Sequence, residues 1–336
     1  MKMKKYDVTA LGELLVDFTE NGISSQGNLL FEANPGGAPG NVLAMLQKLG
    51  RKTAFIGKVG KDFFGEQLKA ALEETGISAE GLRADETTPT TLAFVHRLAD
   101  GDRDFSFYRK PGADLMLTEA EVPEELIKSA RIFHFGTLSM TAQPARQATK
   151  RALETARKNG VPISFDPNLR PPLWDSMEEA RRQVLEGLGY CDILKISDNE
   201  ISWLTGRDDM DRAAEWIQER FPGIKWIFLS LGKLGSRGYA AGVRAQAGAF
   251  LRKDTRDTTG AGDTFMGCML HQLLERGMEP ATEHELREML LFANAAASLI
   301  TARKGALRVM PEKKDILELL QQSSQGSVTV PPSNTV

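Results

Sequence analysis

Short apolar runs alternate along the chain with segments whose apolar residues recur at helical spacing. The runs Val8–Glu13, Thr53–Val59, Ile132–Phe135, Pro162–Asp166, Ile193–Ile196 and Trp226–Leu231 predict strands. Helical periods predict helices over Asn41–Leu49, Gly65–Glu74, Gln143–Lys158, Met177–Leu188, Asn199–Leu204 and Asp211–Glu219. Strands spaced by helices of this length imply βαβ crossovers and a mostly parallel sheet. Two further strand-like runs, Gly238–Ala241 and Ala245–Leu251, precede three closing helices near Ala261–Arg276, His284–Ala302 and Lys313–Gln321.

Two excursions break this rhythm. Residues 14–33 are strand-like but polar and punctuated by glycine. In 90–110 the arms Thr91–Leu98 and Phe105–Arg109 flank Ala99-Asp100-Gly101-Asp102, and Asp-Gly between such runs signals a hairpin. In the second arm Phe105, Phe107 and Arg109 share a face by period-two alternation. A small β element standing off a parallel sheet suits a lid over the carboxyl ends of its strands; the plainer reading is a solubilising surface hairpin. Residues 1–321 thus form one domain carrying a small lid, and the Ser-, Gln- and Pro-rich tail 322–336 is expected to be disordered.

Composition narrows the function. The 336 residues carry 42 Lys+Arg against 45 Asp+Glu, a net charge of −3, so no basic surface for nucleic acid is expected. No apolar run reaches the ~18 residues of a membrane span. Basic Met1–Lys5 is followed by Tyr6–Val16, which holds Asp7 and Glu13 and no cleavage site, so a secretory signal is not expected. Two cysteines, Cys191 and Cys268, make no disulfide framework and fit a reducing, cytoplasmic setting.

The richest chemistry lies in Asp257-Thr258-Thr259-Gly260-Ala261-Gly262-Asp263, a glycine-rich turn opening an apolar helix. The first amides of a helix lack internal partners and the dipole favours anions there, so a phosphate can seat on residues 260–262. Asp263 inside such a turn is either a helix cap or a general base aimed at an attacking hydroxyl. Neither a G-x-x-x-x-G-K-[ST] loop nor a G-x-G-x-x-G fingerprint is present. A second turn, Asn34-Pro35-Gly36-Gly37-Ala38-Pro39-Gly40-Asn41, either crowds backbone against a polar ligand, with Asn41 as donor and acceptor, or is merely a turn. Glu13 and Asp17 end the first strand, where one carboxylate can accept two hydroxyls. Lys195-Ile196-Ser197-Asp198-Asn199-Glu200 either starts the next helix or orders Mg²⁺ through waters. Ser230-Leu231-Gly232-Lys233-Leu234-Gly235-Ser236 ends a strand with spaced glycines that suit close passage of a nucleotide.

Taken together, these residues resemble the ribokinase-like (PfkB) family of carbohydrate kinases over roughly residues 6–315. Gly36-Gly37-Ala38-Pro39-Gly40-Asn41 running on to Phe55–Gly60, and Asp257–Asp263, match its two signatures. Phe107-Tyr108-Arg109 with Gly112-Ala113-Asp114, the stretch Phe165–Trp174, and Leu194–Ser197 are similar to fructokinases. The resemblance implies a three-layer α/β/α sandwich with a small β lid. It also implies ATP-dependent phosphorylation of D-fructose at the 6-hydroxyl, with 2-keto-3-deoxygluconate or ribose as alternative sugars and a non-catalytic sugar-binding regulator as the alternative of another class. Asp263 would be the base and the amides of Gly260, Ala261 and Gly262 the anion hole. Asp17, Gly36, Gly37, Asn41, Arg109 and Arg170 would meet the sugar. Lys195, Ser197, Ser230, Gly232, Gly235 and Asn294 would line the nucleotide pocket. Glu200 would organise Mg²⁺ through waters, Asp257 and Thr259 offer a place for K⁺, and pairing of two copies through the lid is common in similar kinases. Ser197 stands where the family usually has Asn, and Gly40 where Ala is commoner.

Overall fold

The computed structural model describes residues 4–97 and 103–324. Its strands are β1 (Tyr6–Leu11), β2 (Leu15–Ile23), β3 (Leu29–Gly36), β4 (Thr53–Gly60), β5 (Ser78–Asp85), β6 (Leu92–Arg97), β7 (Arg103–Tyr108), β8 (Ala130–Gly136), β9 (Ile163–Asp166), β10 (Ile193–Ser197), β11 (Trp226–Ser230), β12 (Ser236–Ala240) and β13 (Val243–Ala247). Its helices are α1 (Ala38–Lys48), α2 (Phe63–Glu74), α3 (Glu124–Lys128), α4 (Ala145–Lys158), α5 (Met177–Leu188), α6 (Asp198–Thr205), α7 (Met210–Arg220), α8 (Ala261–Glu275), α9 (Glu283–Ile300) and α10 (Lys313–Ser324).

Nine strands form one sheet in the order β13-β12-β11-β10-β9-β8-β1-β4-β5. Pairing is parallel from β5 to β11, and β12 and β13 add antiparallel at the far edge. Helices cover both faces, so the central strands are apolar on both sides, as a buried parallel sheet requires. Alternate side chains divide accordingly. Val8, Ala10, Ile132 and Ile193 join a core with residues of α1, α2, α8, α9 and α10. Leu11, Phe133, Phe135, Leu194 and Ile196 join a second core with residues of α3 to α7. The expected three-layer sandwich is therefore the observed fold.

A smaller sheet, in the order β3-β2-β6-β7, rises from the carboxyl end of β1 after only Gly12–Leu14. Asp17 on β2 stands opposite Asn34 of β3 and Ala93 of β6, and Ala93 opposite Phe107 of β7. β1 parts β4 from β8, so the chain order reverses between β1 and β8. Open α/β sheets bind their ligands at such a switch point, beyond the carboxyl ends of the strands. The small sheet overhangs that end.

Several boundaries differ from the sequence reading. Asn34–Gly36 belongs to β3 rather than to a turn, and α1 begins at Ala38, so Asn41 lies within its first turn rather than at its start. Edge strand β5 was not expected: Ser78–Asp85 is polar and half-exposed and carries no apolar run. The end of α10 carries helix to Ser324, into the segment expected to be disordered; the rest of that tail and the turn Ala99-Asp100-Gly101-Asp102 lie outside the described residues. Arg109 falls just beyond β7 and is buried, not displayed on a strand face with Phe107.

Candidate active site

The site is organised around the first turn of α8. Gly260 is its N-cap, with φ 77°, the left-handed region that glycine enters without strain. A Cβ there would also lie 2.7 Å from that of Ala306. Behind this turn Phe265, Met266, Met269 and Leu270 are buried in the core, which fixes where the helix begins. No side chain caps it. Among the described residues the amides of Gly260 and Gly262 have no partner, whereas that of Ala261 donates to the carbonyl of Thr258 at 3.3 Å. Two of the three amides expected to form an anion hole are thus free, and the third is partly engaged.

Asp263 does not cap the helix. Its carboxylate faces α1, where the buried Asn41 side chain donates from Nδ2 to Asp263 Oδ2 at 2.8 Å. Burial pushes the Asp263 pKa above the usual carboxylate value, against the Asn41 hydrogen bond and the charges of Lys195 and Arg170. Asn41 Oδ1 is buried without a partner, an acceptor left for a hydroxyl donor.

Asp17 faces the same space. A Cβ on Gly36 would fall 2.3 Å from Asp17 Oδ2, so glycine there makes room for the carboxylate. Burial pushes Asp17 up to about 7, and the neighbouring charges of Asp257 and Asp263 push the same way while Arg170 opposes them. Arg170 therefore lies within electrostatic reach of both Asp17 and Asp263. Its guanidinium donates to the carbonyl of Leu169 at 3.1 Å, leaving most of its donors for a ligand. Gly37, at φ 121°, passes close over the carbonyl of Glu13. Glu13 itself accepts the Ala38 amide on Oε1 at 2.8 Å, at the start of α1, so that oxygen serves the fold.

At the ends of β9 and β10, Ser197 and Glu200 form a capping box that starts α6. Glu200 Oε2 accepts from the amide and hydroxyl of Ser197, each at 2.8 Å, and Oε1 accepts the Leu169 amide at 2.7 Å. These bonds and Lys195 hold its pKa below the usual value against burial. Both oxygens being engaged, Glu200 fits a Mg²⁺ site only through bridging water, the arrangement Mg²⁺ favours when phosphates supply its direct ligands. Among the described residues no group of three or more His, Cys, Asp or Glu could hold a metal by itself. A cleft of ≈ 480 Å³ here is lined by Arg170, Lys195, Ser197, Glu200 and Trp203 among others.

Farther along the sheet edge, Ser230 ends β11 and Gly232, at φ 55°, opens onto space where even a Cβ would meet nothing within 4 Å. Gly235 is pressed against the Ala247 carbonyl. Asn294 shapes this wall from behind: its Oδ1 accepts the Ser236 hydroxyl at 2.9 Å, and its Nδ2 donates to the carbonyls of Ala247 at 3.2 Å and Gly248 at 3.0 Å. Its amide is spent on the fold rather than offered to a ligand. Asp257 is buried and accepts the amides of Thr259 at 2.9 Å and Gly305 at 3.2 Å, beside the turn that leads to Gly260.

Arg109 departs most from expectation. Its guanidinium donates to Asp114 at 2.8 and 2.5 Å, to Thr141 Oγ1 at 3.1 Å and to the Leu138 carbonyl at 2.8 Å, while the Thr91 hydroxyl donates to Asp114 at 2.5 Å. The pair ties the base of both arms, before β6 and after β7, to the main body. Asp166 was missed. Buried at the end of β9, it pairs with Lys195 at 3.0 Å. Its place at the carboxyl end of a predicted strand was the available signal.

Comparison with known proteins bears on the family and the fold. The family model described as pfkB family carbohydrate kinase matches residues 6–313. The chain is 40% identical to "Probable fructokinase-2" of Arabidopsis thaliana over 319 residues, 94% of this chain and 95% of that one. A fructokinase of Xylella fastidiosa with bound ATP superposes with a TM-score of 0.83 at 29% identity, covering 95% and 99% of the two chains. A fructokinase of Vibrio cholerae O395 with fructose, ADP and a calcium ion gives 0.83 at 28%, covering 94% and 99%.

Proposed function

The chain belongs to the pfkB family of carbohydrate kinases, and we propose that it transfers the γ-phosphoryl group of ATP to the 6-hydroxyl of D-fructose. Residues 1–321 act as one kinase domain, with the small sheet as its lid. The observation that carries the reading is the Asn41–Asp263 hydrogen bond, which sets a buried carboxylate beside the free amides of α8. Asn41 occupies Oδ2, and Oδ1 takes no hydrogen bond from the described residues, so it can receive the hydroxyl proton. In the reaction the bond from O6 to the phosphorus forms and the bond from phosphorus to the ADP oxygen breaks. The hydroxyl proton passes to Asp263. Charge spreads over the equatorial phosphoryl oxygens, where the amides of Gly260 and Gly262 stabilise it. Asp17, the orphan Oδ1 of Asn41 and Arg170 hold the sugar over Gly36 and Gly37. Ser197, Ser230, Gly232 and Gly235 border the nucleotide. Mg²⁺, held through water on Glu200 and by the phosphates, would neutralise their charge.

Arg109 bears on the choice of sugar. A keto-acid substrate would want Arg109 and Arg170 together on its carboxylate, and the engagement of Arg109 with Asp114 leaves one arginine, which favours the neutral ketose. A coupled ADP-release assay across fructose, ribose, glucose and 2-keto-3-deoxygluconate is expected to give the highest kcat/KM with fructose. A higher value with the keto acid would reverse the choice, and no ADP release with any sugar would indicate a regulator. Buried Asp257, with Thr259, supports a K⁺ site beside the anion hole; unchanged rates on replacing K⁺ by Na⁺ in the same assay would remove it.

The lid also supports pairing of two copies. Phe94 stacks on Phe18 at 4.9 Å and meets Phe31 and Tyr108 edge-on, each at 5.4 Å, while Tyr108 is 66% exposed and Ile23 61%. Exposed aromatic surface of this kind marks an interface. Light scattering is expected to give a dimer for the protein and a monomer for Tyr108→Glu; a monomeric wild type at micromolar concentration would overturn the pairing. Cys191 and Cys268, both buried and unpaired, fit a cytoplasmic protein. No helix among the described residues is long and apolar enough to cross a membrane.

A further inference from the structure

Lys195 stands where stability alone would not put it. It lies within β10, 6% exposed, with Nζ 3.0 and 3.2 Å from the two oxygens of Asp166. On its other side the ammonium abuts α8: a Cβ built on Gly262 would be 3.1 Å from Nζ. Gly262 is in the first turn of that helix, at the positive end of its dipole, where an ammonium is disfavoured; cations are stabilised at the opposite end. Burying an ammonium is costly unless it is paired; Asp166 is its only direct ion-pair partner among the described residues, and the buried carboxylates of Glu200 and Asp263 act on it without touching it. Two positive features, a buried ammonium and the free amides of Gly260 and Gly262, therefore converge on one place. Several donors meeting at one place suit negative charge spread over several oxygens rather than a single carboxylate oxygen. Glycine at 262 keeps the gap between ammonium and amides open.

We propose that Lys195 is a catalytic residue that sets its ammonium against the phosphoryl group in flight, and that Asp166 is the positioning residue holding it there. The inference rests on the reading that transfer occurs at the amides of residues 260–262, and it goes beyond a place for Lys195 in the nucleotide pocket. A nucleotide contact would strengthen ATP binding in the ground state, whereas charge aimed at the moving group acts on the transition state. Lys195 gains and loses no proton in the step. The O6 lone pair forms the new bond to phosphorus, the electron pair of the broken bond leaves with ADP, and Asp263 takes the hydroxyl proton.

The test compares Lys195→Met, Lys195→Arg and Asp166→Asn in the full chain. Removing one stabilising donor from such a site lowers kcat by about 10²–10³-fold. Lys195→Met is expected to show that loss with KM for ATP and fructose changed less than about threefold, and Lys195→Arg to recover at least about a tenth of it. Binding of ADP with aluminium fluoride, which imitates the planar phosphoryl group, should weaken by about 10²-fold in Lys195→Met while ADP alone binds as before. Asp166→Asn should lower kcat by about tenfold, with the same split between the two ligands. If Lys195→Met fails to fold, Lys195→Arg carries the test, with a lowered kcat and an unaltered ATP KM expected. A kcat within threefold of wild type, a loss falling wholly on ATP KM, or equal weakening of ADP with and without aluminium fluoride would each overturn the proposal. A wild type inactive with every sugar would instead sink the reading beneath it, and the two binding measurements would still decide the place of Lys195.

Discussion

Asp263→Asn is expected to lower kcat by about 10³–10⁴-fold while leaving the KM for fructose within about threefold of wild type. The substitution keeps shape and volume, and an asparagine oxygen can still accept the Asn41 Nδ2 bond, so the contact between α1 and α8 survives. What disappears is the carboxylate proposed to take the hydroxyl proton as the phosphoryl group arrives. The amides of Gly260 and Gly262 remain, so residual turnover should reflect positioning and electrostatics alone. Burial already penalises the ionised Asp263, so the variant should melt no lower than wild type. The same burial sets the acid side of the pH profile. Because the Asp263 pKa is raised, wild-type kcat should begin to fall above the ordinary carboxylate range as the medium is acidified, and that limb should be absent in the variant's residual rate. Steady-state ADP release across pH measures both, and a variant kcat within tenfold of wild type would remove Asp263 as the base.

How much of this was legible beforehand depended on whether the signal was local. Ile193–Ile196 and Trp226–Leu231 read as strands because a sheet covered on both faces needs unbroken apolar runs. Met177–Leu188 read as α5 to the residue, since Ser176 caps a clear helical period. Edge strand β5 was invisible because its neighbour pairs with it on one side only and water takes the rest. At the site, the glycine-rich entry to α8 and Asn41 were found from local chemistry, and the choice between cap and base for Asp263 was not. Asn41, 222 positions away, was needed to reveal where the carboxylate points, and it leaves its own helix uncapped. The Lys195–Asp166 pair has the same character: it exists because β9 and β10 run parallel with Leu194 beside Phe165, a register no short motif announces. Arg109 misled for the converse reason. Alternation placed it on a lid face, but the chain leaves β7 one residue earlier, and the buried Asp114 five positions on captures it.

Asp17→Asn should separate binding from stability in opposite directions. Losing a charged acceptor for sugar hydroxyls is expected to raise the fructose KM by about one to two orders of magnitude. Without sugar, the same variant should be the more stable protein near neutral pH. Wild-type Asp17 has its pKa pushed up to about 7 by burial, against the charge of Arg170 and with added repulsion from Asp257 and Asp263. A group whose folded pKa lies above its unfolded value of 3.8 supports the fold only while protonated. Below about pH 4 the two proteins should melt together, because Asp17 is protonated folded and unfolded. As pH rises from there the unfolded chain ionises first, and wild type loses stability relative to the variant until about pH 7, after which the gap stays constant. Glu13, pushed up to about 7 in the same way, is present in both proteins and cancels in the difference. Melting temperatures of the pair between pH 4 and pH 8 give the result, and a wild type more stable than Asp17→Asn at pH 7 without sugar would contradict it. Fructose should then invert the order. Its hydroxyls favour the ionised carboxylate, so sugar binding releases a proton from Asp17 and, at a given fructose concentration, stabilises the wild type more than the variant. The strain held in this carboxylate before sugar arrives is what makes it a strong acceptor once the sugar has displaced water from around it.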